Sequence, residues 1–352
     1  MDALLRYIIY QIAHTLLLFE VILMLFFALA IIAIKLTSRA IARRRVTIQD
    51  QIRHIIEASL FNGCPIDTME IPKELCQFRN LVEVLEKYDH LFNDPLWIQI
   101  KKKVVSKYLA SRLESYASSL SWFNRQLAGR CLLLCPMVAN EPLLEKLLND
   151  PRYLVRVTAA VCIIQISDKD LFYKVIYKMS KETSLSQFPY RDALIQVSEE
   201  KYHWIESLLA SASDKSVIVI CLDILSTRYS KDLLPLIKPY INDIDPTCRI
   251  FAIKALGNMP SPEAIELLIS RLADSDWKIR GEAIMSLQKL YAKQAIPRLQ
   301  PLLNDPVWWV RLQAALTLKA LGQEGMEVLV AQSKDKEPLA YEIAQYSLAL
   351  PT

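Results

Sequence analysis

Glycine is scarce: six residues in 352. So few leave no G-x-G-x-x-G turn and no phosphate-cradling loop, which excludes the nucleotide-binding sites built on them. Histidine is scarcer still. His14, His54, His90 and His203 stand far apart, none in H-x(3)-H or H-E-x-x-H spacing. Cys131 and Cys135 share a helix face in CLLLC, yet no second Cys/His pair accompanies them and leucines surround them, so a buried structural pair explains them better than a metal site. The seven cysteines, an odd number scattered through apolar segments, suit reduced thiols in a cytosolic compartment rather than a disulfide framework. No N-x-S/T sequon occurs. Excess basic charge is lacking too. Residues 1–60 carry seven Lys/Arg and four Asp/Glu, and the remaining 292 carry 35 and 34. A nucleic-acid binder normally shows a basic domain or stripe, so no nucleic-acid partner is expected. No catalytic, metal or cofactor constellation emerges, and the chain reads as a non-enzyme without a cofactor.

What the chain has in abundance is apolar surface, 53% of its residues, concentrated at one end. From Tyr7 to Ile34 it reads YIIYQIAHTLLLFEVILMLFFALAIIAI, with Glu20 the only residue charged at neutral pH. That length crosses a hydrocarbon core of about 30 Å even when tilted. A secretory signal carries its positive charge before a shorter apolar region. Here Lys35, Arg39, Arg43, Arg44 and Arg45 follow the span, against Arg6 before it. Basic residues stay in the cytoplasm, so the expectation is an uncleaved single-pass anchor with the N-terminus outside and the rest inside, in contact with the bilayer through residues 7–34. Glu20 at membrane depth costs about 2.5–3.5 kcal/mol if central. It either contacts another membrane protein or a second copy, or sits off-centre and reaches the interface.

Beyond the anchor the chain repeats itself. LLNDP occurs at 147–151 and again at 302–306, five periods of 31 apart. Four copies place an Asp six residues before an Arg: Asp150/Arg156, Asp243/Arg249, Asp274/Arg280 and Asp305/Arg311. An alanine follows each Arg by three, at 159, 252, 283 and 314. Arg125 lies one period before Arg156 without a preceding Asp, and the windows at 187 and 218 have lost the Arg. A last, degenerate copy runs from Asp335 through Tyr341 and Ala344 to Leu348, as a capping repeat should. Each unit reads as two helices. PEAIELLISRLAD (262–274) and WKIRGEAIMSLQKL (277–290) are the clearest pair, with Pro262 in a first turn and Asp274 or Asp276 placed to cap the second helix. Ile279, Ala283, Ile284, Leu287 and Leu290 fall on one face, which only a stacked neighbour can bury. Prolines recur at twice the period, Pro235/Pro297 and Pro239/Pro301, and mark first helices that are bent or short-started.

The D-x(5)-R-x(2)-A-[AI] pattern, the Leu-Gly stops at 256–257 and 321–322, and the 31-residue period resemble the HEAT-repeat family, in particular the short bacterial type called PBS-lyase-like HEAT repeats. The resemblance covers roughly residues 119–350. It implies a right-handed α-solenoid of HEAT-like hairpins with a degenerate C-terminal cap (119–352); together with the transmembrane helix read from hydropathy (1–42) and the juxtamembrane and atypical capping helices read from pattern (43–118, with a loop at Gly63, Pro65 and Pro72), an all-α fold is expected. A bacterial inner membrane is the expected setting, and protein partners along the solenoid surface are the expected ligands. Some relatives of this type handle bilin chromophores, but no chromophore-handling residue carries over.

Two side-chain patterns have competing explanations. The Asp–Arg series is either a row of anion-binding arginines or an internal ladder, in which each Asp caps a helix and accepts from an Arg of its own or the neighbouring repeat. Recurrence at a fixed place favours the ladder. In NDPVWWVRLQAALTLKALG (304–322), Trp308 stands three before the repeat Arg, as Trp122, Tyr153 and Trp277 do, and reads as packing against the adjoining unit. Trp309 projects away from the core stripe and is a candidate protein contact, with Lys278 at the matching place one repeat earlier; packing on the last repeat is the alternative. The run KKK at 101–103 reads as a solvated helix face or a lipid contact. Together these features point to a membrane-anchored scaffold, with a structural subunit of a membrane complex or a bilin lyase-like protein as alternatives.

Overall fold

A computed structural model describes residues 2–61, 64–92, 94–136, 141–166, 168–228, 233–334 and 337–350, with side chains from residue 15 onward. All regular structure among them is helical, and the chain divides into two compact units, Met1–Met137 and Val138–Thr352.

The first unit is organised by α1, Asp2–Phe61, a single helix roughly 90 Å long at 1.5 Å per residue. The sequence separates an anchor from a juxtamembrane helix, but no Gly or Pro lies between them to end the first. The hydroxyls of Thr37 and Thr47 bond back to the carbonyls of Ala33 and Arg43, so even the polar residues there support the helix. Residues 15–47 lie open, with only Ala30 and Arg45 half covered. From Ile48 the helix meets protein. Ile48, Ile52 and Ile56 bury a stripe at four-residue spacing, packed against α2 (Phe78–Asp89) and α3 (Pro95–Val104). Gln49 Nε2 donates to Glu83 Oε2 at 2.7 Å, and the Tyr88 hydroxyl to Glu57 Oε1 at 2.6 Å. Helix α3 runs through a π turn into α4 (Ala110–Ala117), and α5 (Trp122–Leu134) packs on α2 and α4.

The second unit is a stack of hairpins. Its helices are α6 (Glu141–Leu148), α7 (Tyr153–Gln165), α8 (Lys169–Met179), α9 (Ser184–Leu194), α10 (Glu199–Ser211), α11 (Lys215–Leu225), α12 (Leu233–Ile237), α13 (Pro246–Leu256), α14 (Pro262–Arg271), α15 (Trp277–Lys289), α16 (Ile296–Leu299), α17 (Trp308–Ala320), α18 (Gln323–Gln332) and α19 (Pro338–Ala349). The second helices α11, α13, α15, α17 and α19 each pack on the next. Ala159, Ala252, Ala283 and Ala314 are fully buried in their helices, as are Ile279, Ile284 and Leu287. Leu290 caps α15 and is only half-buried. The paired prolines act as expected: α12 gives way to a 3-10 turn over Lys238–Asn242 and α16 to one over Gln300–Asn304, because Pro239 and Pro301 have no N–H for the α-helical bond.

The repeat arginines hold the inter-helix turns. In each copy Nη1 donates to two consecutive turn carbonyls: Arg156 to Asp150 and Pro151, Arg249 to Asp243 and Ile244, Arg280 to Asp274 and Ser275, Arg311 to Asp305 and Pro306. The aspartates do not cap the helices themselves. Each accepts from the backbone N–H two residues on, closing the turn, and where an Asp does cap, it is the one that follows: Asp245 for α13 and Asp276 for α15. The remaining edge of the guanidinium reaches into the next repeat. Arg280 Nε and Nη2 grip the Asp305 carboxylate at 2.7 and 2.8 Å, both groups buried. Arg156 grips Glu182 the same way, at 2.7 and 2.9 Å. Arg249 Nε stands 3.8 Å from Asp274 and makes no hydrogen bond. Asp335, which the register places at the last such position, lies outside the described residues.

The Leu-Gly stops divide on inspection. Gly322 has φ +88°, a left-handed conformation that suits glycine, whereas Gly257 is right-handed and is small because Ser286 Oγ lies 2.6 Å from where its Cβ would be. Gly325 in α18 is tighter still, with the Leu318 carbonyl oxygen 1.9 Å from an added Cβ. Gly325→Ala should therefore lower the melting temperature, although alanine gains about 1 kcal/mol in helix propensity; a rise would contradict this packing. Arg280→Ala strands the buried Asp305 carboxylate and should cost about 3 kcal/mol, whereas Arg249→Ala should cost clearly less in the same denaturant titration. Equal losses, or none, would contradict the ladder.

Candidate interaction surface

The second helices carry a polar row absent from the Asp–Arg register. On α11, Asp223 accepts from Arg191 of α9 through Oδ2 and from Lys254 Nζ of α13, at 3.2 Å, through Oδ1. Glu282 follows on α15. Burial is the largest influence on its carboxyl and pushes its pKa above the usual carboxylate range, against the pull of Lys254 and Lys289. Opposite charges at 191, 223 and 254 recur at 31 or 32 residues. That spacing was visible in the sequence, but only a register offset from the repeat Arg exposes it. Lys201 of α10 was not legible at all: it is buried and donates to the carbonyl of Ile164 in the last turn of α7, where a cation meets the helix dipole. Burial also pushes the thiols of Cys221 and Cys248 up, to about 12 and about 11, so neither is a nucleophile near neutral pH.

Past this row the exposed surface becomes aromatic. Trp308 and Trp309 open α17 with ring centroids 6.4 Å apart and planes tilted by 44°. They are 50% and 44% exposed, so the pair does not divide into one packed and one free residue. Trp122, Trp277 and Trp308 share a repeat position, each as the first residue of its helix, and all three are exposed, while Tyr153 in the same place is half-buried. Trp309 leans back over the preceding repeat, where its Cδ1 lies 4.0 Å from a Cβ built on Gly281. Lys278 is exposed, with Nζ 5.9 Å above the Trp277 ring. Met285, also exposed, extends the apolar area of α15.

In the first unit, Lys35, Arg39, Arg43 and Arg44 are exposed and Arg45 half-buried along the open stretch of α1. Glu20 is exposed among apolar neighbours, and the side chain of His14 lies outside the described set. The lysine run does not act as one face. Lys101 pairs with Asp89, Lys103 Nζ donates to the carbonyls of Ile66 and Asp67 at 2.6 and 2.9 Å, and Lys102 alone is exposed. The open stretch and the span before it belong to a helix long and apolar enough to cross a membrane by length and composition, and no part of its most apolar window is buried.

Comparison with known proteins places this geometry. The family model for HEAT repeats matches residues 203–288 and 265–349. No curated protein matches the chain. Among solved structures, the chain is similar to YibA of Escherichia coli (15% identity, 80% of this chain and 98% of that one, TM-score 0.39) and to human deoxyhypusine hydroxylase (18%, 86% and 96%, 0.31). It is also similar to the karyopherin Kap121p bound to the SUMO protease Ulp1p (12%, 80% and 42%, 0.42), of whose length it spans less than half. The family match falls on the helices whose turns Arg249, Arg280 and Arg311 clamp, so residues 203–349 are HEAT repeats, and all regular structure among the described residues is helical.

Proposed function

We propose that the chain is a membrane-tethered scaffold whose HEAT array recruits protein partners at the cytoplasmic face. One observation carries the reading: the helix holding the exposed apolar span continues unbroken into the buried stripe of Ile48, Ile52 and Ile56. A span embedded in lipid is thereby joined to folded protein by helix rather than by a flexible linker. Between Ile34 and Ile48 about 20 Å of helix is open, and it carries the basic cluster at 35, 39 and 43–45. Those residues support an inside orientation and add about 1 kcal/mol each against anionic headgroups. Glu20 is assigned to a contact with another transmembrane segment.

Tethering acts by local concentration. A partner held at the membrane meets the array as an effectively intramolecular encounter, without any new contact being needed. The aromatic rim of α15 and α17, with Trp309 and Lys278, is the assigned contact surface, since large exposed aromatics dominate interface energies. Chemical crosslinking with mass spectrometry on native membranes tests this. Several substoichiometric partners linked to Lys278 or Lys289 are expected, and Trp309→Ala should reduce their recovery about tenfold without lowering the melting temperature. One partner in stoichiometric amount would replace the scaffold with a structural subunit of a membrane complex, and bilin absorbance in the purified protein would replace it with a chromophore-handling role.

A further inference from the structure

Among the described residues, the last arginine clamp of the array keeps an unfilled guanidinium edge beside a cleft. In Arg280 and Arg156, Nη1 holds the turn while Nε and Nη2 grip a carboxylate of the following repeat. Arg311 holds its turn identically, through Asp305 and Pro306, and is about nine-tenths buried. Among the described residues, no carboxylate or carbonyl accepts from its Nε or Nη2. It lines a cleft of about 280 Å³ between α17 and α19, walled by Trp308 and Tyr346, with Leu339 and Ile343 as apolar lining and Glu342 on α19. Trp308, Tyr346 and Leu339 are all exposed.

We propose that this cleft is a receptor for an acidic side chain, Asp or Glu, of a partner protein, presented next to an apolar residue. The proposal rests on the array's being a protein-binding surface and names the chemistry it selects. The Nε and Nη2 edge of Arg311 faces the cleft, and planar fork geometry favours a carboxylate there over a single carbonyl. The Arg280–Asp305 pair shows, within the same protein, how that edge takes a carboxylate. The two aromatic walls flank a space with room for one side chain and its apolar neighbour, too little for a drug-sized molecule. Glu342 opposes an incoming carboxylate and sets a threshold that weakly acidic or isolated carboxylates do not pass.

The test uses the full chain in detergent micelles and a displayed library of short random peptides. Selected peptides should carry Asp or Glu beside Leu, Ile or Phe, and their amidated or alanine versions should bind at least tenfold more weakly. Arg311→Gln should abolish the selection. Because that variant also loosens its turn, Trp308→Ala and Tyr346→Ala, which leave the clamp intact, should weaken binding as well, while Glu342→Gln should strengthen it. Peptides without an acidic residue that bind regardless of Arg311 would overturn the proposal and leave the scaffold reading standing. Selection of no peptide would also overturn it, with the scaffold still judged by crosslinking. So would a fall in melting temperature on Asp335→Asn as large as that on Asp305→Asn, since the chain would then fill the edge itself.

Discussion

A guanidinium bound to two consecutive carbonyls of its own inter-helix turn is the interaction on which the repeats depend. Each hairpin has an apolar face that it cannot bury alone, and the angle between its helices decides whether that face meets the next hairpin's. The turn sets this angle. Its backbone carbonyls belong to neither helix's ladder, and they need donors. Arg156, Arg249, Arg280 and Arg311 supply them with one nitrogen, and Arg156 and Arg280 also grip a carboxylate of the following repeat with the other edge, so there the same side chain fixes a turn and a junction. The fully buried alanine three residues on lets the neighbouring helix come close at the same level.

The clamp also explains the irregular copies. Arg125 has no preceding Asp, yet its Nη1 donates to the carbonyls of Ser119 and Leu120, while the Ser119 hydroxyl accepts from the Ser121 N–H where the aspartates elsewhere close the turn. In one of the two windows that have lost the Arg, Gln187 Nε2 donates to the carbonyls of Met179 and Glu182, whereas the other carries the buried, apolar Ile218. Identity-based matching therefore finds the copies at 156, 249, 280 and 311 easily and the others only by register.

The period, the buried alanines and the proline-broken first helices were legible in the sequence because each is imposed by local chemistry: spacing, small size, a missing N–H. What was not legible depends on neighbours. Whether Asp274 or Asp276 caps α15 turns on where the loop ends, one residue pair away. Trp308 and Trp309 differ in register but not in exposure, and where each lies depends on what the adjoining elements cover. The lysine run at 101–103 looked uniform, yet two of its members are used up by partners far off in sequence. Continuity of α1 through residues 35–47 was masked by a change from apolar to basic residues, which alters the surroundings of a helix without ending it.

In the proposed scaffold, α1 holds the chain in a membrane and the folded units lie on its cytoplasmic side. Cys64, an exposed free cysteine just beyond α1, reports both. The most direct measurement is labelling with a membrane-impermeant maleimide in cells making the full chain with Ala3→Cys. The account expects position 3 to be labelled in intact cells and Cys64 only after the membrane is breached, with the protein remaining in the membrane fraction. Labelling of Cys64 from outside, or recovery of the chain in soluble form without its N-terminal segment, would contradict it.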